Sequence, residues 1–252
     1  MNLAIEHLAT DKRVAKSVGI IQSNYIPWRG YFDFIKSVDL FVVFDCLQYT
    51  TFDWRNRNQI KTDKGLHWLS VPVDASRSRG DIILNTKIKY NTPWVEDQMK
   101  WLRLAYGKAP FFDLYFSPFV ELLNSKFTTI SQLNCALIRW INKILEIPTE
   151  IKMSTDLNPQ GTKTDRLIDI LRKVGATKYV SGPNAKPYMD VEKFKKENIS
   201  LEYKSYSYRE YPQLHGPFNG TVTVLDLLFN CGPEAKNHIS SLTENEKILE
   251  FK

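Results

Sequence analysis

The amino-acid sequence predicts an α/β protein with a mainly parallel sheet and an α-helical middle segment. Residues 18–22 (VGIIQ) and 40–44 (LFVVF) have the continuous apolar character of strands that are covered on both faces. Between them, apolar side chains over 31–38 recur at the spacing of a helix. A strand, a helix and a second strand in this order form a βαβ unit, which is the building block of a three-layer Rossmann-like core.

The elements that follow this unit are predicted from local patterns. Residues 68–73 (WLSVPV) indicate a strand at an edge or terminus of a sheet, because Pro72 has no amide proton to donate. Residues 82–90 show the alternation of a strand, and 95–106 carry apolar side chains on one helical face. The longest helix is expected over 131–147, where an apolar stripe is followed by a proline.

The second half of the chain continues the alternation of helices and strands. A helix is expected over 164–174, with its first residue, a threonine, able to cap it, and a strand is expected over 178–181. A short helix ends at Asn198, and 199–205 are predicted as the last strand. Residues 221–229 indicate a further helix because their apolar side chains share one face.

Length and composition bound the architecture. The chain has 252 residues, of which 43% are hydrophobic and 25% are charged, so the disordered, collagen-like and coiled-coil classes are excluded. We expect an N-terminal extension over 1–17 and a single α/β domain over 18–252. A helical subdomain is expected over about 94–150 of that domain.

Charge and cysteine content limit the ligand and the environment. Thirty-four Lys and Arg against 28 Asp and Glu give a net charge of +6, which favours an anionic ligand without requiring nucleic acid. Cys46, Cys135 and Cys231 have no CxxC spacing, and they support neither a disulfide framework nor a zinc site. With no apolar signal segment and no run of about 18 apolar residues, we expect a cytoplasmic protein.

Polar residues follow both strands of the βαβ unit. Gln22 ends the first strand, Asn24 and Tyr25 come after it, and Asp45 comes after the second strand. Ligands gather at the carboxyl ends of parallel strands, so a site is expected at these residues. The alternative interpretation is that they only form turns.

A cluster of basic and polar residues follows at 53–58 (DWRNRN). It places Arg55 and Arg57 beside Trp54. Arginine forks suit phosphate or carboxylate groups, and a tryptophan ring can stack on a base or a sugar. We therefore favour a binding role, and the alternative is a solvated surface turn.

A second basic cluster precedes the helix expected at 164–174. In GTKTDR at 161–166, Lys163 and Arg166 flank a helix start whose free amides also attract anions. We predict that these two residues join Arg55 and Arg57 in holding a diphosphate, although an ordinary charged helix start has the same pattern. The chain has no dinucleotide-binding, P-loop, zinc-protease or serine-hydrolase signature.

The four histidines offer few choices for a titrating base. His215 lies in a loop rich in proline and glycine, where a functional imidazole would be held in place. We predict that Asp45 and His215 supply the acid–base function, in which a base accepts the proton of an attacking amine. A turn histidine without a role is the alternative.

Together these stretches resemble the WbqC-like protein family. The resemblance is carried by residues 20–32 (IIQSNYIPWRGYF), 44–58, 71–73, 161–168, 179–182 and 224–232, and it spans roughly 18–232. One feature departs from the family pattern, because Asp45 is followed by Cys46 where a second aspartate is common. The departure leaves Asp45 as the candidate carboxylate.

The resemblance implies a biosynthetic transferase. Members of the family accompany gene sets for surface polysaccharides, such as the O-antigen of lipopolysaccharide. The implied reaction places glycine, or another acyl or aminoacyl group, on the amino group of a nucleotide-linked amino-dideoxy sugar. The implied donor is an activated acyl or aminoacyl group, with aminoacyl-tRNA as one example, and the cofactor is left open.

Two other functions are compatible with the sequence. The start of the chain also resembles the fold of ATP-using nucleotidylyltransferases with a HIGH motif, except that Tyr31 stands where those enzymes have a histidine. An ATP-dependent adenylating or nucleotidyl-transfer enzyme is therefore one alternative. The other is a non-catalytic partner that binds a nucleotide sugar within a biosynthetic complex.

The side chains expected to bind substrate are polar, basic or aromatic, and they belong to the stretches described above. They are Gln22, Asn24, Tyr25, Trp28, Tyr31, Gln48, Tyr49, Trp54, Arg55, Asn56, Arg57, Asn58, Lys61, Lys163, Asp165, Arg166, Ser181 and Asn184.

Overall fold

The computed structural model describes residues 16–75 and 80–251. The described residues contain ten strands, which are β1 (Ser17–Ile21), β2 (Leu40–Val43), β3 (Arg57–Thr62), β4 (Gly65–Ser70), β5 (Val73–Asp74), β6 (Lys87–Ile88), β7 (Glu150–Met153), β8 (Lys178–Ser181), β9 (Ser200–Tyr203) and β10 (Glu246–Leu249). They also contain seven α-helices, which are α1 (Arg29–Lys36), α2 (Trp94–Tyr106), α3 (Phe112–Asn124), α4 (Ile130–Ile144), α5 (Lys163–Lys173), α6 (Val191–Lys196) and α7 (Val224–Cys231). Residues 1–15 of the predicted N-terminal extension lie outside the described ranges.

Six strands form a central sheet in the order β10–β9–β8–β1–β2–β7. Neighbouring strands are parallel, apart from the antiparallel pair of β9 and β10. The chain moves outward from β1 to β2 and β7, and then returns to the other side of β1 as β8. This reversal of strand order creates a topological switch point between β1 and β8, where a crevice opens at the carboxyl ends of the two strands.

Both faces of the sheet are covered, because the strands are apolar on both sides. On one face, Val18 and Leu40 pack in a core with Ile170 of α5 and Phe194 of α6. On the other face, Phe41 belongs to a larger core that also receives buried side chains of α1, α2, α3, α4 and α7. The protein therefore has the three layers of the predicted Rossmann-like α/β fold, and that prediction is confirmed.

Strands β3 and β4 form an antiparallel hairpin beside the central sheet. The sequence of β3 (RNQIKT) is polar, and its side chains find partners in other segments. Asn58 Nδ2 donates to the carbonyl oxygen of Ile26 at 2.8 Å, and Lys61 Nζ donates to Gln213 Oε1 at 2.7 Å. Through these contacts the hairpin holds the loop after β1 and the loop before α7.

Most expected elements are present, and several differ from the expectation. Residues 82–90 alternate but form a 3₁₀ turn at Ile83–Asn85 and the two-residue strand β6. Helix α5 begins at Lys163, and its second residue, Thr164, does not cap it but accepts a hydrogen bond from the Asp190 amide at 3.2 Å. The last strand is β10 rather than β9. None of the helices in the described ranges is long and apolar enough to cross a membrane.

Candidate functional site

The first of three adjoining cavities, the central groove, lies at the topological switch point. It has a volume of about 610 Å³ and runs between the carboxyl ends of β1 and β8. The segment after β1 contributes Gln22 and Asn24 to its lining, while Ser181 and Asn184 come from the end of β8 and the turn after it. The structure thus brings together four predicted binding residues from two distant parts of the chain, at the place where sheets of this kind bind ligands.

Arg55 brings positive charge to the central groove. Its side chain is 12% exposed, and the guanidinium donates to Asn24 Oδ1 and forms an ion pair with Asp53 at 3.5 Å. Burial acts to raise the pKa of the Asp53 carboxyl, but the Arg55 charge and hydrogen bonds from Thr50 Oγ1 and the Trp54 amide outweigh burial and lower the pKa. Asp53 is therefore ionised at neutral pH and holds Arg55, whose guanidinium also donates to the Ser23 carbonyl oxygen at 3.3 Å.

Aromatic rings form the walls of the central groove. Trp28 packs against Tyr206 with 5.2 Å between the ring centroids, and Trp54 lines the same groove. Gly30 makes the position of Trp28 possible, because a Cβ atom there would lie 2.3 Å from the indole ring. Flat rings beside a guanidinium are suited to a base or a sugar that carries a phosphate.

The second cavity, the basic cavity, opens beside the N-terminus of α5. Its volume is about 570 Å³, and it shares Phe44 and Leu167 with the central groove. Lys163 and Arg166 line it, together with Asp190 and the exposed ring of Tyr188. The first amides of a helix lack partners within the helix, so they add to the positive potential of the two side chains.

The third cavity, the small chamber, has a volume of about 250 Å³. It is lined by Asn24, Pro27, Trp28, Trp54, Asn58 and Thr221. Three of these residues, Asn24, Trp28 and Trp54, also line the central groove, so the two cavities share a wall. Drug-sized ligands occupy pockets of about 300–1,000 Å³, so the chamber suits only a part of a nucleotide-sized ligand.

The comparison with known proteins places this chain in a family. The sequence matches the WbqC-like protein family over residues 22–238. This chain belongs to the WbqC-like protein family. It is 41% identical over 226 residues to the uncharacterized protein Rv1507c of Mycobacterium tuberculosis, and the aligned part covers 89% of this chain and 97% of that relative. No solved structure matches the sequence. The family resemblance expected from the sequence is thus confirmed.

In this WbqC-like chain, Asp45 stabilises the backbone next to the central groove. The carboxylate is buried and accepts hydrogen bonds from the Ser23 amide at 2.8 Å, from Ser23 Oγ at 2.7 Å and from Ser131 Oγ. It ties the loop after β1 to the end of β2 and to α4. Asp45 does not appear in the lining of the three cavities.

His215 lies in a different network. Its Nε2 donates to the Ala105 carbonyl oxygen at 2.6 Å, and its backbone has a φ of 67°, in the left-handed region. Across the described ranges, no hydrogen bond or ion pair joins Asp45 to His215, and His215 does not line the three cavities. The structure does not assemble the predicted acid–base pair, because the two side chains are engaged with separate parts of the fold.

Several other predicted binding residues hold the backbone that shapes the site. Tyr25 donates its hydroxyl to Gln98 Oε1 at 2.6 Å, and burial raises the pKa of that phenol. Tyr31 donates to the Gln22 carbonyl oxygen at 3.0 Å at the lining of the central groove. The Tyr49 hydroxyl donates to Asn56 Oδ1 at 2.9 Å, and Asn56 Nδ2 donates to the Val71 carbonyl oxygen at 2.8 Å. Gln48 forms a β-bridge with Ile82, and Lys61 Nζ donates to Gln213 Oε1.

Two predicted charged residues are not in the lining of the three cavities. The Arg57 guanidinium lies over the Trp68 ring, 4.2 Å from its centroid, and donates to the Phe52 carbonyl oxygen at 2.6 Å. Asp165 forms an ion pair with Lys193 on the exposed side of α5. The diphosphate prediction therefore retains Arg55, Lys163 and Arg166 as residues that line a cavity.

The sequence did not predict Tyr206 or the hydrogen-bond network around Asp226 that holds its segment in place. Asp226 is buried in α7 and accepts hydrogen bonds from Tyr106 and Tyr211, each at 2.8 Å, and from Gln213 at 2.7 Å. Burial raises the pKa of Asp226, and the three hydrogen bonds oppose that shift. The network anchors the segment after β9, which carries Tyr206. No motif marks these residues, because their partners lie far apart in the sequence.

The described residues contain no group of three or more His, Cys, Asp or Glu side chains that could hold a metal ion.

Proposed function

We propose that this protein is a transferase of surface-polysaccharide biosynthesis, which adds glycine or another acyl or aminoacyl group to the amino group of a nucleotide-linked amino-dideoxy sugar. The observation that carries the proposal is the combination of basic and aromatic side chains in adjoining cavities at the switch point. An anionic ligand with flat or ring-shaped parts is the class that such a surface recognises. Membership of the WbqC-like family supports a biosynthetic role.

The three cavities suggest how a nucleotide sugar would be held. Lys163 and Arg166 of the basic cavity and Arg55 of the central groove would contact the diphosphate. The rings of Trp28 and Tyr206 would pack against the flat parts of the ligand. Charge-assisted hydrogen bonds from arginine to phosphate are about twice as strong as neutral ones, so they would dominate the affinity.

The proposed reaction needs alignment of two substrates. The amine nitrogen attacks the acyl carbon, a C–N bond forms, and the bond to the leaving group breaks while the amine proton passes to the leaving group or to solvent. Holding the amine and the acyl carbon in contact contributes much of the acceleration in such reactions. When the donor is pre-activated, the reaction needs only this alignment and a group or solvent molecule that accepts one proton.

A non-catalytic nucleotide-sugar-binding protein is the second candidate. One observation favours it: in the described part of the chain, no His, Asp or Glu side chain lines the central groove. The adenylating alternative has less support, since Tyr31 stands at the position of the expected histidine and its hydroxyl is bonded to the Gln22 carbonyl. We keep the transferase as the proposal because desolvation can prepare an amine without a side-chain base.

Mass spectrometry of the acceptor tests the proposal. Nucleotide-linked amino sugars are incubated with the protein and with aminoacyl-tRNA, acyl thioester, or glycine plus ATP, and the products are weighed. We expect a glycyl or acyl mass gain without AMP release, and a loss of at least about tenfold in kcat/KM when Lys163 and Arg166 are both changed to Ala.

The matched control is Lys100→Ala, which removes an exposed lysine of α2 that lines none of the three cavities. It should react like the wild-type protein. AMP or pyrophosphate release that depends on free glycine and ATP would favour the adenylating enzyme. Tight binding without any mass gain would favour the non-catalytic partner.

A further inference from the structure

The basic cavity and the central groove adjoin each other but differ in their lining. They share four residues, which are Phe44, Leu167, Ala185 and Met189. An extended ligand can therefore occupy both cavities, with one end in each. The other lining residues differ, and the difference indicates which end of a nucleotide sugar each cavity receives.

The lining of the basic cavity is mainly apolar beyond its two cations. In addition to the four shared residues, it contains Leu47, Pro187 and Tyr188. The Tyr188 ring is 80% exposed, so its surface is free to contact a ligand. Nucleobases of every kind stack on exposed aromatic rings, because each base has a flat π-face. Tyr188 is therefore suited to the base of a nucleotide.

The backbone that carries Tyr188 is held in place. Tyr188 ends a 3₁₀ turn at Pro183–Tyr188, which contains two prolines. Thr164 Oγ1 donates to the Tyr188 carbonyl oxygen at 3.5 Å and accepts a hydrogen bond from the Asp190 amide at 3.2 Å, so the end of the turn is tied to α5. Because this backbone is already ordered, stacking on the Tyr188 ring would cost little conformational entropy.

Asp190 distinguishes a nucleoside from a phosphate in the basic cavity. It lines the cavity, and its carboxylate has no hydrogen-bond or ion-pair partner among the described residues. A free carboxylate repels a phosphate, but it accepts hydrogen bonds from the hydroxyl groups of a ribose or from the N–H groups of a base. The phosphates therefore fit best at Lys163 and Arg166, and the nucleoside fits best near Asp190 and Tyr188.

The central groove presents free amide groups instead. The side chains of Gln22 and Asn184 line it and make no hydrogen bond within the described ranges, and Asn24 Nδ2 is also without a partner there. Amides both donate and accept hydrogen bonds, which matches the hydroxyl groups of a sugar. The half-buried rings of Trp28 and Tyr206 pack against each other, so they leave less open surface for a stacked base than Tyr188 does. They still supply apolar contact for a sugar ring.

We propose that the nucleotide sugar binds in one direction, with its nucleoside in the basic cavity and its sugar ring in the central groove. The base stacks on Tyr188, and the sugar hydroxyls bond to the amides of Gln22, Asn24 and Asn184. The inference rests on the proposed function and gives the orientation of the acceptor in that function. Tyr188 is then a binding residue for the nucleotide part of every substrate, whereas the three amides select the sugar.

Titration calorimetry with and without the sugar part of the ligand tests the orientation. The probes are free UDP, dTDP and GDP and the amino sugars linked to them. Tyr188→Ala should weaken the binding of a nucleoside diphosphate and of its sugar conjugate by the same factor, about fivefold or more, because the lost stacking belongs to the base. The matched control Tyr188→Phe keeps the ring and should bind both ligands within about twofold of the wild type. Circular dichroism shows whether each variant is folded.

The second variant combines Gln22→Ala with Asn184→Ala. It removes two side-chain amides and leaves the Gln22 carbonyl oxygen, which accepts the Tyr31 hydroxyl, in place. The nucleotide sugars should bind about fivefold or more weakly, because two hydrogen bonds to the sugar are lost. The free nucleoside diphosphates should bind within about twofold of the wild type.

Different patterns of affinity would overturn the inference and leave the proposed function standing. They are an unchanged affinity of Tyr188→Ala for nucleoside diphosphates, an equal loss in Tyr188→Phe, and an unchanged affinity of the double variant for nucleotide sugars. An equal loss of both kinds of ligand in the double variant would overturn it as well. If the wild-type protein binds none of the probes, the proposed function fails and the inference fails with it.

Discussion

At the scale of single residues, Arg55 and Arg57 show how neighbours of one type acquire different surroundings. Arg55 lines the central groove, whereas Arg57 begins β3 and lies on the Trp68 ring. The sequence shows two arginine forks beside Trp54, and both fit a phosphate. Local composition does not show which of the two arginines lines the groove at the switch point. Only the structure distinguishes them.

The two arginines give a matched test of the ligand position. We expect Arg55→Gln to weaken the binding of a nucleotide-linked sugar by about 10- to 100-fold, because a charged hydrogen bond is worth about 1.5–3 kcal/mol. Arg57→Gln should change the dissociation constant by less than about twofold. Calorimetry on both variants, with circular dichroism to show that they are folded, measures the difference. An equal loss of affinity in both variants would show that Arg57 also contacts the ligand.

The same ion pair gives a prediction for pH. The pKa of Asp53 is lowered in the folded protein, so its contribution to stability is present above the unfolded pKa of about 3.9 and is lost as the pH falls through the folded pKa. Arg55→Gln removes the largest lowering influence, and the pKa of Asp53 should rise. NMR titration of the carboxyl carbon would measure it. An unchanged pKa would show that Thr50, the Trp54 amide and the charge of Arg57 keep the pKa low without Arg55.

At the scale of elements, patterns identified the strands and helices with strong periodicity and missed the others. Strands β1, β2 and β8 are apolar and were predicted, since they are buried on both faces. Strand β3 is polar and was missed, because its side chains are paired by distant segments. Helix α3 contains Pro118, and β10 is a largely exposed edge strand of sequence EKIL, so neither carries a clear local signal.

Asp45 joins three elements, which are the loop after β1, the end of β2 and α4. Asp45→Ala should lower the free energy of unfolding by about 2–4 kcal/mol, since the buried Ser23 and Ser131 donors lose their acceptor. Urea denaturation measures the change. Ser131→Ala, which removes one of the three donors and leaves the carboxylate in place, is the milder companion variant and should cost less. Full stability of Asp45→Ala, together with lost turnover, would instead support a direct chemical role for the carboxylate.

At the scale of the whole molecule, the candidate site is assembled from segments that are distant in sequence. The central groove unites Asn24, Arg55, Ser181 and Tyr206 because the sheet order reverses between β1 and β8. The sequence predicted the polar strand ends and the arginine cluster, since these have local signatures. It could not predict that Asp45 and His215 lie in separate networks, because the spacing of residues along the chain does not give their separation in the fold.

A crystal structure of the protein with a nucleotide-linked amino sugar tests the central claim most directly. We expect the diphosphate within hydrogen-bond distance of Arg55 and of Lys163 or Arg166, and a flat part of the ligand against the rings of Trp28 and Tyr206. The nucleoside should lie in the basic cavity or the central groove. A nucleotide sugar bound elsewhere on the surface, with the switch-point cavities free of ligand, would contradict the account.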